Sequence, residues 1–230
     1  MKKHTILLCI LLVPPLVYLF FSTGKHGMMH LPIYYPQDVK ISVVDGKEKS
    51  DTIYHTIPPF RFVDQSGDTV TDNMFEDKIY VADFFFSTCP SICPKMMKQM
   101  GRISDTTKDK ENFMIISHTV NPSHDSVAVL AEYAKLVHAD PKRWMLVTGD
   151  KKQIYDLAID GYKLAVDEDP RAPGGFLHSE MFVLVDKLRR IRGYYDGTDT
   201  SQVSKLINDI KILSAEYQSK ISKPKIYQKH

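Results

Sequence analysis

Two cysteines, Cys89 and Cys93, stand four positions apart in the stretch DFFFSTCPSICPKM, just after a run of aromatic residues. Two thiols at that spacing can close as a disulfide, exchange electrons with another thiol pair, or act as two soft ligands to a metal. As thiolates they suit Cu(I), zinc or reversible oxidation. The third cysteine of the chain, Cys9, lies far upstream in an apolar run and reads as filler there. A disulfide-rich framework is thereby excluded by arithmetic. Two sulfurs leave a metal under-coordinated, and an imidazole would complete a trigonal Cu(I) site. Of the nine histidines, His178 is the preferred third ligand. It joins the loop-like stretch DEDPRAPGGF to the strand-like HSEMFVLVD, and such junctions of loop and scaffold often carry function. His118 is the runner-up, and His124 reads as an exposed residue at a helix start. Met96, Met97 and Met100 form a soft patch after the cysteines, for which helix packing is the simpler account.

The elements around these residues follow from periodicity. IYVADFFF, FMIISHTV and RWMLVTG read as buried strands, rich in β-branched and aromatic residues. FRFVD, a QSGD turn and TVT make a hairpin ahead of them. Helices are predicted from about Pro94 to Ile103, in NPSHDSVAVLAEYAKLVH with Ser123 or Asp125 as its cap, and in DKKQIYDLAIDGY. LHSEMFVLVDK is predicted as one strand, RRIRGYYDG as its hairpin partner, and DTSQVSKLINDIKILSAEY as the closing helix. Repeated β-α-β units with a late hairpin imply an α/β fold, a mixed central sheet flanked by helices on both faces. The cysteines then occupy a strand-to-helix turn. If the helix begins near Cys89, both sulfurs share one face, and the orphan amides of the first turn favour thiolate.

Composition narrows the function further. The chain of 230 residues carries a formal net charge of +2, and Lys2, Lys3 and Lys25 precede the body without any acid among residues 1–25. Removing those three from 30 basic residues leaves 27 against 28 acids, so no nucleic-acid partner is expected. No phosphate-loop spacing is present, and no nucleotide is expected. ILLCILLVPPLVYLFF, from Ile6 to Phe21, follows the first lysines. With the three residues after it, it reaches the lower end of the about 17–25 residues that span a bilayer. No small-residue cleavage site follows, so a retained N-terminal membrane anchor is expected. The lysines favour a cytoplasmic start and an exported body. The expected organisation is an anchor over 1–24, a juxtamembrane segment with leading strands over 25–56, the main domain over 57–217, and a basic tail over 218–230.

VADFFFSTCPSICPKMMKQM, together with LHSEMFVLVDKLRRIRGYYDG, resembles the Sco/SenC family from roughly Ile57 to Tyr217. The resemblance implies a thioredoxin-like, membrane-anchored copper protein that helps assemble cytochrome c oxidase. It would deliver copper to the oxidase's copper-bearing subunit or reduce that subunit's ligand cysteines, served by a copper donor or a thiol reductant. It would be a single-pass protein of the bacterial cytoplasmic (inner) membrane, with its body on the periplasmic or other extracytoplasmic side. It implies Cys89, Cys93 and His178 as copper ligands. It also implies supporting roles for Asp83 and for an acid shortly before the histidine, namely Asp167, Glu168 or Asp169. A general thiol-disulfide oxidoreductase using Cys89 and Cys93 is the alternative. A thiol peroxidase and a tethered domain with an inert disulfide are weaker ones.

Overall fold

The computed structural model describes residues 11, 13–15, 30–44, 47–168 and 176–222. Two strands, β1 (Pro36–Val44) and β2 (Lys47–Tyr54), pair antiparallel as a separate hairpin. β3 (Arg61–Asp64) and β4 (Thr69–Thr71) form the expected second hairpin. Its turn is held by the Asp64 carboxylate, whose Oδ1 accepts from the amides of Ser66 at 2.8 Å and Asp68 at 3.0 Å. Gly67 sits in this turn at φ +86°, a conformation that glycine adopts without steric cost.

Three parallel strands follow. β5 (Ile79–Phe85), β6 (Phe113–Thr119) and β7 (Trp144–Thr148) are buried at every position, as strands covered on both faces should be. They are joined by α1 (Ile92–Thr106) and α2 (Val127–Leu136). In α1, Cys93, Met96, Met97, Met100 and Ile103 form one buried stripe at helical spacing. The three methionines are thus packing residues. α2 is capped by Ser126, whose Oγ accepts from the Val129 amide at 3.4 Å, and not by Ser123 or Asp125. The short α3 (Lys151–Asp156) continues as a π-helical turn over Leu157–Gly161.

The segment expected as one strand after the acidic loop is instead two. β8 (Val166–Glu168) and β9 (Phe176–His178) form a small antiparallel hairpin, and β10 (Met181–Val185) joins the main sheet. β11 (Ile191–Asp196) is its hairpin partner, and α4 (Thr200–Ser222) closes the chain past the expected boundary at Tyr217. The main sheet has the order β11-β10-β5-β6-β7-β3-β4. Helices cover both faces. Phe85 stacks on Tyr133 of α2, while the next ring, Phe84, meets Tyr162 after the π-helical turn.

The chain divides into two units, Met1–His30 and Leu31–His230. The expected anchor lies almost wholly outside the described residues, and among those described no helix is long and apolar enough to cross a membrane. Leu31 and Pro32 are tied to the body by a feature that periodicity does not reveal. Arg192, 1% exposed, donates to the Leu31 carbonyl at 2.7 Å and the Pro32 carbonyl at 2.9 Å. Its charge is met by Asp186 at 3.1 Å and Glu216 at 2.7 Å.

Candidate functional site

β5 ends on Phe85, and the chain turns through Phe86 to Ser91 before α1 begins at Ile92. The helix therefore starts three residues later than Cys89, and only Cys93 lies in its first turn. Pro94, also in that turn, has no amide hydrogen to lose from the helix ladder. The cysteines do not stack along one helical face as expected. Cys89 belongs to the turn and lies over the helix start, where the Cys93 amide points at its sulfur at 3.5 Å. Both side chains are thiols, Cys89 7% exposed and Cys93 fully buried.

The two thiols hold their protons differently. Burial works to raise the Cys89 pKa, but the amides of Cys93, Ser91 and Ile92 and the Cys93 thiol outweigh it, so it falls below the ordinary thiol value. These are orphan donors of a helix N-terminus, which lower thiol pKa values. Cys93 is raised far above the ordinary value, first by burial, then by proximity to Cys89 and the charge of Asp83. A second thiolate next to the first is thus strongly disfavoured unless a cation arrives to share it.

Asp83, on β5, is fully buried. Its Oδ1 accepts from Ser117 Oγ at 2.5 Å, and that hydroxyl accepts from the indole N–H of Trp144 at 2.9 Å. Its Oδ2 has no hydrogen-bond partner among the described residues. Burial pushes its pKa up to about 7, against the opposing Ser117 hydrogen bond. Its charge is felt at both Cys93 and Tyr133.

Sequence reasoning offered Asp125 only as a helix cap and missed its bonds to the segment before Cys89. Asp125 is fully buried and accepts from the Ser87 amide at 3.1 Å, from His124 Nδ1 at 3.0 Å, and from the hydroxyls of Ser87 and Thr119. The loop after β6 is thereby fastened to the segment two residues before Cys89. The only sequence signal was a polar cluster, SHDS, which equally suits a helix cap. His124 is half exposed, as expected of it.

His118 is enclosed by aromatic rings, stacked on Phe84 at 4.8 Å and met edgewise by Phe60, Phe62 and Tyr162. Burial lowers its pKa to about 3, against the hydrogen bond that its Nδ1 donates to the Asp83 carbonyl, which works to raise it. It is a neutral core residue, on the sheet face opposite the Asp83 side chain by strand alternation. The backbone of His178 lies in β9 opposite Val166, and those of Asp167 and Glu168 lie in β8 opposite Leu177 and Phe176. Asp169 lies outside the described residues. Among the described side chains no group of three or more His, Cys, Asp or Glu is gathered to hold a metal.

The SCO1/SenC family model matches residues 48–214 of the chain, which include this cysteine turn and the main sheet. The chain belongs to the SCO1/SenC family. A SCO1 protein homolog of Bacillus subtilis is 26% identical over 171 residues, covering 74% of this chain and 88% of the relative. The solved structure of BsSco, described as a member of the Sco family of cytochrome c oxidase assembly proteins with a disulfide switch, aligns with a TM-score of 0.62. It is 26% identical, over 70% of this chain and 94% of that one. Yeast Sco1, solved with copper bound, shares the fold at a TM-score of 0.57 and 24% identity, over 76% of this chain and 99% of that one. The thioredoxin-like architecture of the SCO1/SenC chains is therefore that of this sheet and its helices.

Proposed function

We propose that this protein is a membrane-anchored copper chaperone for cytochrome c oxidase assembly. It carries one cuprous ion as cargo between Cys89, Cys93 and His178. It passes that ion to the oxidase's copper-bearing subunit, or first reduces the subunit's ligand cysteines. The observation that carries this reading is the cysteine turn. One sulfur is held acidic by helix-start amides, and its neighbour is buried and reluctant to ionise alone. A monovalent cation placed between them offsets that reluctance, so loading releases the Cys93 proton and unloading restores it. Soft thiolates and one imidazole suit Cu(I), and three-coordination leaves room for an incoming client thiolate before an old ligand departs. Family membership supports the reading, as does BsSco, a relative described with the oxidase assembly proteins. The apolar run from Ile6 to Phe21 supports a tether in the bacterial cytoplasmic membrane with the body outside. Asp83, in the strand before the cysteine turn, is a supporting acid, and one of Asp167, Glu168 or Asp169, shortly before the histidine in sequence, is the second.

A second reading is favoured by the same pair. An acidic thiol beside a protonated one is the arrangement of an attacking and a resolving cysteine, and BsSco is described with a disulfide switch. Anaerobic Cu(I) loading of the full chain, followed by X-ray absorption, separates the two. Copper carriage gives mixed sulfur and nitrogen coordination, with the nitrogen lost in His178→Ala. Sulfur-only coordination unchanged in that variant leaves the thiol–disulfide reading standing alone.

A further inference from the structure

The faces of α1 and α2 beside the cysteine turn leave an open groove of about 670 Å³. It runs from Cys89 along α1 as far as Thr106. From Pro94 to Thr106 that helix rises about 18 Å, the length of five or six extended residues. Cys89 lines the groove and Cys93 does not, so the groove opens on the Cys89 sulfur alone. The apolar part of the wall is Met97 from α1, Tyr133 and Leu136 from α2, and Val137 just after it; Lys98, Arg102 and Asp105 of α1 line the same groove. Leu136 is 73% exposed, a large apolar side chain that the protein's own core does not use.

Gly101 adds an independent observation. It lies in the interior of α1, where glycine weakens a helix, and it faces the groove. A β-carbon built there would meet no atom within 4 Å. The protein's own packing therefore does not require glycine at this position. A side chain at this position would project into the groove.

We propose that this groove seats an extended, apolar segment of the client polypeptide, with a client cysteine set beside Cys89. The inference rests on Cys89 being the exchanging thiol, as under the function proposed above. With a client disulfide, the Cys89 thiolate attacks one client sulfur, a Cys89–client bond forms, and the other client sulfur leaves as thiolate. The Cys93 thiol, giving its proton to water, then attacks Cys89 and frees the first client sulfur. The protein's dithiol is oxidised to a disulfide and the client's disulfide is reduced to two thiols, a two-electron exchange. With a reduced client carrying no disulfide, the same seat places an incoming sulfur beside the cuprous cargo.

The test uses the reduced full-length chain and two probes. One is a six-residue apolar peptide whose single cysteine carries a thionitrobenzoate group. The other is N-acetylcysteinamide carrying the same group, and both release the same coloured thiolate. The peptide is expected to react faster by roughly tenfold or more. That ratio should fall to near one in Gly101→Trp, which fills the groove, and in Leu136→Asp, which charges its wall. Circular dichroism confirms that each variant is folded, and either folded variant suffices. A ratio near one in the unsubstituted protein overturns the groove, and so does a ratio that neither variant moves. If neither probe reacts at all while copper still loads, the exchanging role of Cys89 falls and the groove falls with it. If the peptide preference is present but copper does not load, the groove stands and the copper reading falls.

Discussion

Cys89 and Cys93 differ in proton affinity because helix-start amides lower the one, while burial, then the neighbouring Cys89 and the charge of Asp83, raise the other. Asp83, buried on the strand that leads to this pair, makes stability depend on pH. Its pKa rises from 3.8 to about 7 on folding, since burial outweighs the Ser117 hydrogen bond. A raised folded-state value means the stabilising form is the protonated one. That contribution is full below the unfolded value near pH 4 and is lost as pH rises through about 7. Denaturant midpoints should therefore decline between these limits, by an amount on the order of a few kcal/mol. In Asp83→Asn the decline should flatten, leaving the variant more stable than the parent at pH 8. A slope identical in parent and variant would remove Asp83 from this role. In the sequence Asp83 is singled out only by the family resemblance. Its burial and its bond to Ser117 were not legible there, because they depend on which strand pairs with β5.

At the scale of elements, the turn between β5 and α1 is held from outside by the loop that follows β6. Asp125 makes that connection with four donors, two of them from Ser87. Asp125→Ala takes the acceptor from these donors, of which the Thr119 hydroxyl is fully buried, and should cost about 1–3 kcal/mol in chemical denaturation. The same variant should change the rate at which Cys89 is alkylated, because the turn carrying it loses its brace, while Asp125→Asn restores part of both. An alkylation rate unmoved in Asp125→Ala would confine the residue to stability. The strands β5, β6 and β7 were readable as apolar runs, and the β3–β4 hairpin from its QSGD turn. Asp125 was not, since SHDS satisfies a capping pattern locally and only the tertiary fold brings Ser87 to it. The start of α1 was misjudged for a related reason. Pro90 and Pro94 leave several possible first turns, and the buried stripe beginning at Cys93 decides among them. LHSEMFVLVDK reads as one strand because its apolar run masks the break at Ser179 and Glu180, where the chain passes from β9 to β10.

For the whole molecule, the buried charges at the sheet's edge determine how the leading segment attaches. Arg192 gathers Asp186, Glu216 and the carbonyls of Leu31 and Pro32 around one guanidinium. Glu216→Gln removes one charge from this set and should destabilise the fold by about 3 kcal/mol, as breaking a buried pair does. Urea unfolding measures it, and a change below a few tenths would mean the pair is replaceable. Nothing in the RRIRGYYDG stretch alone separates this fully buried arginine from Arg189 and Arg190, which are only partly buried. Another long-range connection concerns the chain's single tryptophan. Its indole hydrogen ends on Ser117, and Ser117 ends on Asp83, whose charge is felt at Cys93. The protein thus contains a built-in optical probe, wired by two hydrogen bonds to the carboxyl beneath its sulfurs. Ultraviolet emission from that one indole can follow metal loading or thiol oxidation in untagged protein, with no dye attached.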